Sequence, residues 1–214
     1  MRIRFAKLSD SQKLAEVHWQ CSPEQPDSFM ARLGPFFLRQ YYRALLHEKY
    51  SVVLCAEDDQ RELVGFISGS LDATEHIPEL RRHRFKLLWG ALPALLKNPR
   101  LFRGMLNREE SKSADLEDNG FIVLHGARWE YWAFLPEARA QGKALALFRA
   151  WLATMRAAGA REIRFEVDED TPKIVRLHRS LGAKIVRKCV TPEGKQRLIM
   201  EYPAALVGVT RMNS

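Results

Sequence analysis

Residues 136–148 read PEARAQGKALALF, and Arg139, Gln141, Gly142 and Lys143 are an odd set to find at the mouth of an apolar-periodic helix. A glycine in a helix interior costs roughly 0.5–1 kcal/mol relative to alanine. Two cations near a helix N-terminus oppose its dipole. Both features make sense if an anion sits there. The first backbone N–H groups of a helix have no intrahelical acceptor, Gly142 lets a ligand approach them without a Cβ in the way, and Arg139 and Lys143 add countercharge. A diphosphate meets these conditions. The competing reading is a surface turn with solvated cations. Neither GxxxxGK[ST] nor GxGxxG occurs, which sets aside the two familiar phosphate loops.

The elements around this turn follow from periodicity. Alternation predicts strands over 2–7, 51–57, 62–70, 127–135, 161–167, 183–189 and 197–202. Helices are expected from Ser9 or Asp10 to about Gln20, over 35–48, from about Gly142 to Ala158, and after Thr171, with Pro172 at the first helical position, to Leu181. Gly65 and Gly69 in the third strand mark a bulge or a close approach of backbone. Between the third and fourth strands a leucine stripe over 87–96 reads as an extra helix ended by Pro99, with a shorter helix over 100–107 and a charged mobile loop over 109–120. The order β-α-α-β-β, insert, β-α-β-α-β-β predicts a mixed sheet with helices on its faces. One domain over 1–204 accounts for the chain, with a basic helical insert at 75–118 and a loose tail at 205–214.

The turn resembles the acetyl-CoA-binding motif of the GNAT superfamily of acyl-CoA N-acyltransferases, [R/Q]-x-x-G-x-[G/A]. Here it reads Arg139-Ala140-Gln141-Gly142-Lys143-Ala144, complete at every specified position. A second family element, N-x-x-A-x-x-x-Y-x-x-x-G-F, keeps its spacing from Thr171 to Ala183, with Thr171, Ile174, His178 and Ala183 at positions where the family has Asn, Ala, Tyr and Phe. The likeness covers about 2–71 and 121–202. It implies an α/β (α+β) fold with a mostly antiparallel seven-stranded sheet, helices on both faces, and the insert lying outside the family pattern. It also implies acetyl-CoA as donor and transfer of the acetyl group to a primary amine of a small molecule. Backbone amides from Gln141 to Ala144 would cradle the CoA diphosphate. Backbone groups of Ala133, Phe134 and Leu135 would pair with pantetheine, and the Thr171 hydroxyl would contact CoA unless its N-cap role occupies it.

Direct transfer needs an unprotonated amine and a proton for the departing thiolate. His178 stands where many members place an acid tyrosine, and a histidine can serve there; the alternative is a packed residue at the sheet edge. The position matching the family's base glutamate holds Arg128, which cannot act. Glu130, two residues along and expected on the same side of the strand, is the base candidate, with a salt bridge to Arg128 or to an insert cation as the alternative. Glu166 is the reserve and His125 a weaker one. Trp129, Tyr131, Trp132 and Phe134 are core residues or the lining of an acceptor pocket.

Composition bounds the rest. The 214 residues are 46% hydrophobic and 28% charged, as for a folded domain. Cys21, Cys55 and Cys189 are odd in number and widely spaced, which points to thiols in a reducing compartment. No secretory signal and no membrane-spanning run is seen, so the expected location is cytoplasmic. No metal-ligand spacing occurs, and no metal is expected. Of the net charge of +8, the stretch 80–108 holds eight cations and no acidic residue. That segment covers a core, makes peripheral contact with an anionic membrane surface, or docks phosphates; nucleic acid is disfavoured because no helix-turn-helix, zinc-finger or RNP signature appears. It also resembles inserts in GNAT-like proteins of bacterial surface-polysaccharide clusters, which implies an amino sugar or glycan precursor as acceptor. Longer-chain acyl transfer, and a non-enzymatic binding protein, are the rival functions. A monomer or homodimer fits the size.

Overall fold

The computed structural model describes residues 1–24, 29–103, 122–139, 142–191 and 194–204. Seven strands form one sheet: β1 Arg2–Phe5, β2 Ser51–Glu57, β3 Leu63–Ser70, β4 Ala127–Phe134, β5 Ile163–Asp168, β6 Lys184–Val190 and β7 Gln196–Tyr202. Their order is β1-β2-β3-β4-β5-β7-β6. Every neighbouring pair is antiparallel except β4 and β5. The mixed, mostly antiparallel sheet expected from the sequence is present, with strand limits within two residues of the predicted ones.

The described α-helices are α1 Ser11–Cys21, α2 Phe29–Arg32, α3 Gly34–Leu45, α4 Ala73–Arg82, α5 Arg84–Lys97, α6 Lys143–Ala157 and α7 Pro172–Ser180. Asp72 accepts a hydrogen bond from the Thr74 amide at 2.9 Å and so starts α4, the first helix of the insert expected from residue 75. Helix α3 ends at Leu45 rather than Glu48. Residues 100–103 are helical; the remainder of the expected short helix, the 109–120 loop and the 205–214 tail lie outside the described residues. Of the three thiols, Cys21 and Cys55 are buried and Cys189 is half-buried.

Apolar residues bury on both faces of the sheet because its central strands are covered on both sides; all of β3 is buried. One core joins β2, β3, β4, β5 and β7 to Leu147, Phe148, Trp151 and Met155 of α6. The other joins β2, β3 and β4 to Leu14 and Val17 of α1, Phe37, Leu38, Tyr42 and Leu45 of α3, and Ala91 of α5. The Trp151 indole donates to the Val52 carbonyl at 3.0 Å, fixing α6 across the sheet.

The site depends on an irregularity in β4. Trp129 lies opposite Gly69 and Tyr131 opposite Ser68, which leaves Glu130 as an extra residue with no partner on β3. Such a bulge bends a strand and re-aims its side chains. In consequence Trp129 and Trp132 both pack toward the α6 core, while Tyr131 packs toward α1 and α3. Gly69 makes the bulge compatible with the core, because a Cβ there would meet the Arg128 carbonyl at 2.3 Å and Trp151 Cζ2 at 2.4 Å. Gly69→Ala should therefore overpack the bulge and cost about 1–3 kcal/mol, read as a lowered urea midpoint. A loss below about 0.5 kcal/mol, the range of an ordinary surface change, would contradict the close packing.

Candidate active site

Strands β4 and β5 pair at only two positions, Ala127 with Ile163 and Arg128 with Arg164. Beyond them β4 runs on through Phe134 and β5 through Asp168 with no further pairing between the two. The foot of the resulting gap is held by Arg128, whose Nη2 lies 3.1 Å from the Glu166 carboxylate. Glu166 also accepts from the Val123 amide at 2.6 Å. These contacts occupy Glu166, the reserve base, and show that Arg128 pairs with it rather than with Glu130. His125, the weakest base candidate, lies at the surface with Nδ1 3.3 Å from the Thr74 hydroxyl.

Register decides which backbone groups face the gap. The Leu135 amide donates to the Val64 carbonyl at 2.8 Å. In an antiparallel ladder alternate residues turn their polar groups to the same neighbour. Ala133, opposite Phe66, therefore also faces β3, and Phe134, opposite Gly65, faces away from it. Of the three expected pantetheine contacts, only Phe134 points into the gap; Trp132, which sequence reading missed, joins it by the same alternation. The Phe134 carbonyl already accepts from Arg139 Nε at 2.7 Å.

Just past β4 the chain reaches α6. Gly142 is its N-cap, with φ +71° in the left-handed region, and no side chain caps the first turn. No heavy atom lies within 4 Å of the position a Cβ would take at Gly142. The space a Cβ would take at Gly142 is thus open, and the residue adopts a conformation that only glycine fills without strain. Arg139 and Lys143 flank the turn and Ala144 packs against the core. Gln141 and Ala140 lie outside the described residues. Thr171 donates its hydroxyl to the Asp168 carbonyl at 2.6 Å and makes no cap hydrogen bond, so toward a ligand it can only accept.

His178 stands at the fork itself, with its ring centroid 4.7 Å from Trp129 of β4 and 4.7 Å from Phe165 of β5. It is 1% exposed, and its Nδ1 is 2.6 Å from the Tyr202 hydroxyl. Burial pushes its pKa down to about 4. The imidazole is consequently uncharged near neutral pH, and its surroundings are those of a packed core histidine. Such packing is what the alternative reading of His178, a packed residue at the sheet edge, describes.

Glu130 has partners that its sequence neighbourhood did not reveal. Its Oε1 lies 2.8 Å from His76 Nε2, and His76 Nδ1 lies 2.5 Å from Glu48 Oε2. Tyr41 adds a hydrogen bond to Glu130. The His76 side chain is 1% exposed and that of Glu130 8%. Burial alone would lower the His76 pKa, but the charge and hydrogen bond of Glu130, followed by those of Glu48, raise it to about 10. Burial raises the Glu48 pKa, opposed by its hydrogen bond from His76. The arrangement is an imidazolium shared by two carboxylates, one of them in the bulge. Its members come from the turn after α3, from α4 and from β4, so no spacing in the chain announces them. A second buried histidine lies on the same face: His18 stacks on Tyr131 with centroids 3.8 Å apart, and its Nδ1 is 2.6 Å from the Tyr42 hydroxyl. Burial pushes its pKa down to about 3.

These histidines oppose one another in pH dependence. His18 and His178 bind protons more weakly folded than unfolded, so the stability they contribute is present above the ordinary value of 6.5 and is lost as pH falls toward about 4 and 3. His76 binds its proton more tightly when folded. Its contribution is full below 6.5 and is lost as pH rises toward about 10. Urea midpoints measured across pH should peak at about 6–7, and His76→Gln should flatten the alkaline limb. An alkaline limb that is the same in both proteins would show that His76 carries no charge.

No family model and no curated protein matches the chain. Solved structures do. Spermidine/spermine N-acetyltransferase SpeG from Vibrio cholerae is similar with a TM-score of 0.55 at 13% identity, covering 96% of this chain and 94% of that one. Salmonella typhimurium yncA, solved with its cofactor acetyl-CoA, is similar with a TM-score of 0.57 at 14% identity, covering 95% and 94%. The parting strands, the bulge and the left-handed glycine thus stand in a chain whose fold is similar to that of these two acetyltransferases.

Proposed function

We propose that the chain transfers an acetyl group from acetyl-CoA to the primary amine of a small molecule. The observation that carries this reading is the pair of features in line with each other: a strand edge freed after two parallel rungs, and a helix mouth opened by a left-handed glycine just beyond it. An extended arm ending in a diphosphate fits that pair. The solved relative with acetyl-CoA supports the donor, and the polyamine acetyltransferase supports an amine acceptor.

In this reading the amides opening α6, with Arg139, Gln141, Gly142, Lys143 and Ala144, receive the diphosphate. Backbone groups of Trp132 and the Phe134 amide align the pantetheine arm; the Phe134 carbonyl already accepts from Arg139 Nε and from Cys21 Sγ. The amine nitrogen attacks the thioester carbonyl carbon, its proton passes to Glu130, and the carbon–sulfur bond breaks. His76 holds the Glu130 carboxylate in place. A thiol has a pKa near 8.5, so the CoA thiolate leaves without a dedicated acid and takes its proton from solvent, with His178 shaping the fork.

The acceptor's charge follows from the insert. Eight cations without an acidic residue over 80–108 repel a polycation and attract an amine that carries phosphate elsewhere. A phosphorylated or nucleotide-linked amino sugar, as a glycan precursor, has that chemistry.

Gly142→Val places a branched Cβ among the diphosphate-binding amides and should weaken acetyl-CoA binding at least about tenfold by calorimetry. The left-handed conformation adds a stability cost of about 1–2 kcal/mol, which a thermal melt separates from the binding loss. Unchanged affinity would end the assignment. An amine panel scored by free-thiol release identifies the acceptor.

A further inference from the structure

The insert presents apolar surface on two sides. Its inner side packs on α3: Gly90 and Ala91 of α5 are buried, and a Cβ on Gly90 would meet Phe37 Cα at 3.1 Å. On its outer side Phe85, Leu88, Trp89, Leu92 and Leu96 recur at helical spacing and are 72, 39, 65, 40 and 75% exposed. Scattered exposed apolar residues are ordinary, but a continuous stripe with two aromatic rings marks an interaction face. Cations border it. Arg84, Lys86, Lys97, Arg100 and Arg103 are all exposed, and the Arg84 guanidinium lies over the Phe85 ring, 5.1 Å from its centroid.

A groove of about 530 Å³ opens beside the stripe, lined by Trp19, Pro35, Phe36, Pro93, Ala94 and Leu101 and by the cations Arg32 and Lys97. Pro93 and Lys97 lie one and two turns beyond Trp89, so stripe and groove are neighbours on the helix surface. Trp19 and Phe36 are themselves 43% and 42% exposed.

We propose that this face docks on the surface of an anionic phospholipid bilayer. The stripe of α5 enters the interface between headgroups and acyl chains, and the bordering cations lie at the headgroup phosphates. Charge complementarity selects this occupant. A second copy of the chain would bring one all-cationic border against another. A nucleic acid would satisfy the cations while leaving the leucines and the apolar groove in water. A bilayer accepts both parts at once. The docking helix follows α4, which carries His76, the partner of Glu130 in the bulge. The docking itself does not depend on the acetyl-transfer reading.

The test is co-sedimentation of the full chain with vesicles of phosphatidylcholine containing about 30% phosphatidylglycerol, against pure phosphatidylcholine, at low salt and at about 0.5 M NaCl. Binding should be at least tenfold tighter to the anionic vesicles and should weaken with salt. Phe85→Ser combined with Leu96→Ser should weaken it at least tenfold while leaving the melting temperature and the thermal shift with acetyl-CoA unchanged. Failure to bind the anionic vesicles overturns the proposal. So does a dimer in sedimentation equilibrium that the double variant abolishes, which would give the face to a second copy, and so does vesicle binding indifferent to the double variant. Vesicle binding in a chain that gives no shift with acetyl-CoA would leave this proposal standing and remove the acetyl-transfer reading instead.

Discussion

Two strands that begin as parallel neighbours and then separate govern the rest of this molecule. Pairing is the default for adjacent strands, because an unpaired strand edge inside a fold leaves amides and carbonyls without partners. Here β4 and β5 give up their ladder after Arg128 and Arg164. The extra residue at Glu130 bends β4 just past that point. Everything that reads as function lies along the edge thus freed: Trp132 and Phe134 toward the gap, His178 filling its fork, and the mouth of α6 at its open end.

The bulge has a second consequence. By turning Glu130 and Tyr131 toward the same face, it places a carboxylate and a phenol in the region roofed by α1, α3 and α4. A carboxylate so nearly buried would be costly alone, since isolated buried charge is strongly penalised. His76 offsets that cost, with Glu48 on its far side. The insert is therefore tied into the sheet: its first helix, started by Asp72, delivers the imidazole that pairs with the bulge carboxylate. On the opposite face His178 solves the inverse problem by staying neutral among Trp129, Phe148, Phe165 and Tyr202.

The sheet was legible in the chain because its strands alternate or run apolar between turn residues, and those signals are local. Gly142 was legible for the same reason: a glycine at a helix mouth between cations has a backbone explanation, and φ is +71° there. Gly69 signalled a close approach, although only the pairing shows that Arg128 and Trp151 are what approach it. The Glu48–His76–Glu130 set could not be read, since three segments far apart in sequence meet there and a helical insert does not announce which of its residues turns to the sheet. Glu130 does share a face with Arg128, both lying beside Tyr41; the bulge instead turns Tyr131 onto that face, which simple alternation would not do. His178 was ambiguous because spacing gives its place in a helix pattern but cannot say whether the ring meets solvent or four aromatic side chains.

Hydrogen–deuterium exchange with and without acetyl-CoA tests the central claim most directly, because it reads the backbone amides on which the account rests. Added acetyl-CoA should slow exchange in the peptides covering 131–135 and 142–147, the freed edge of β4 and the first turn of α6. Protection that leaves both of those peptides unchanged and appears elsewhere in the chain would contradict a donor held between the parting strands.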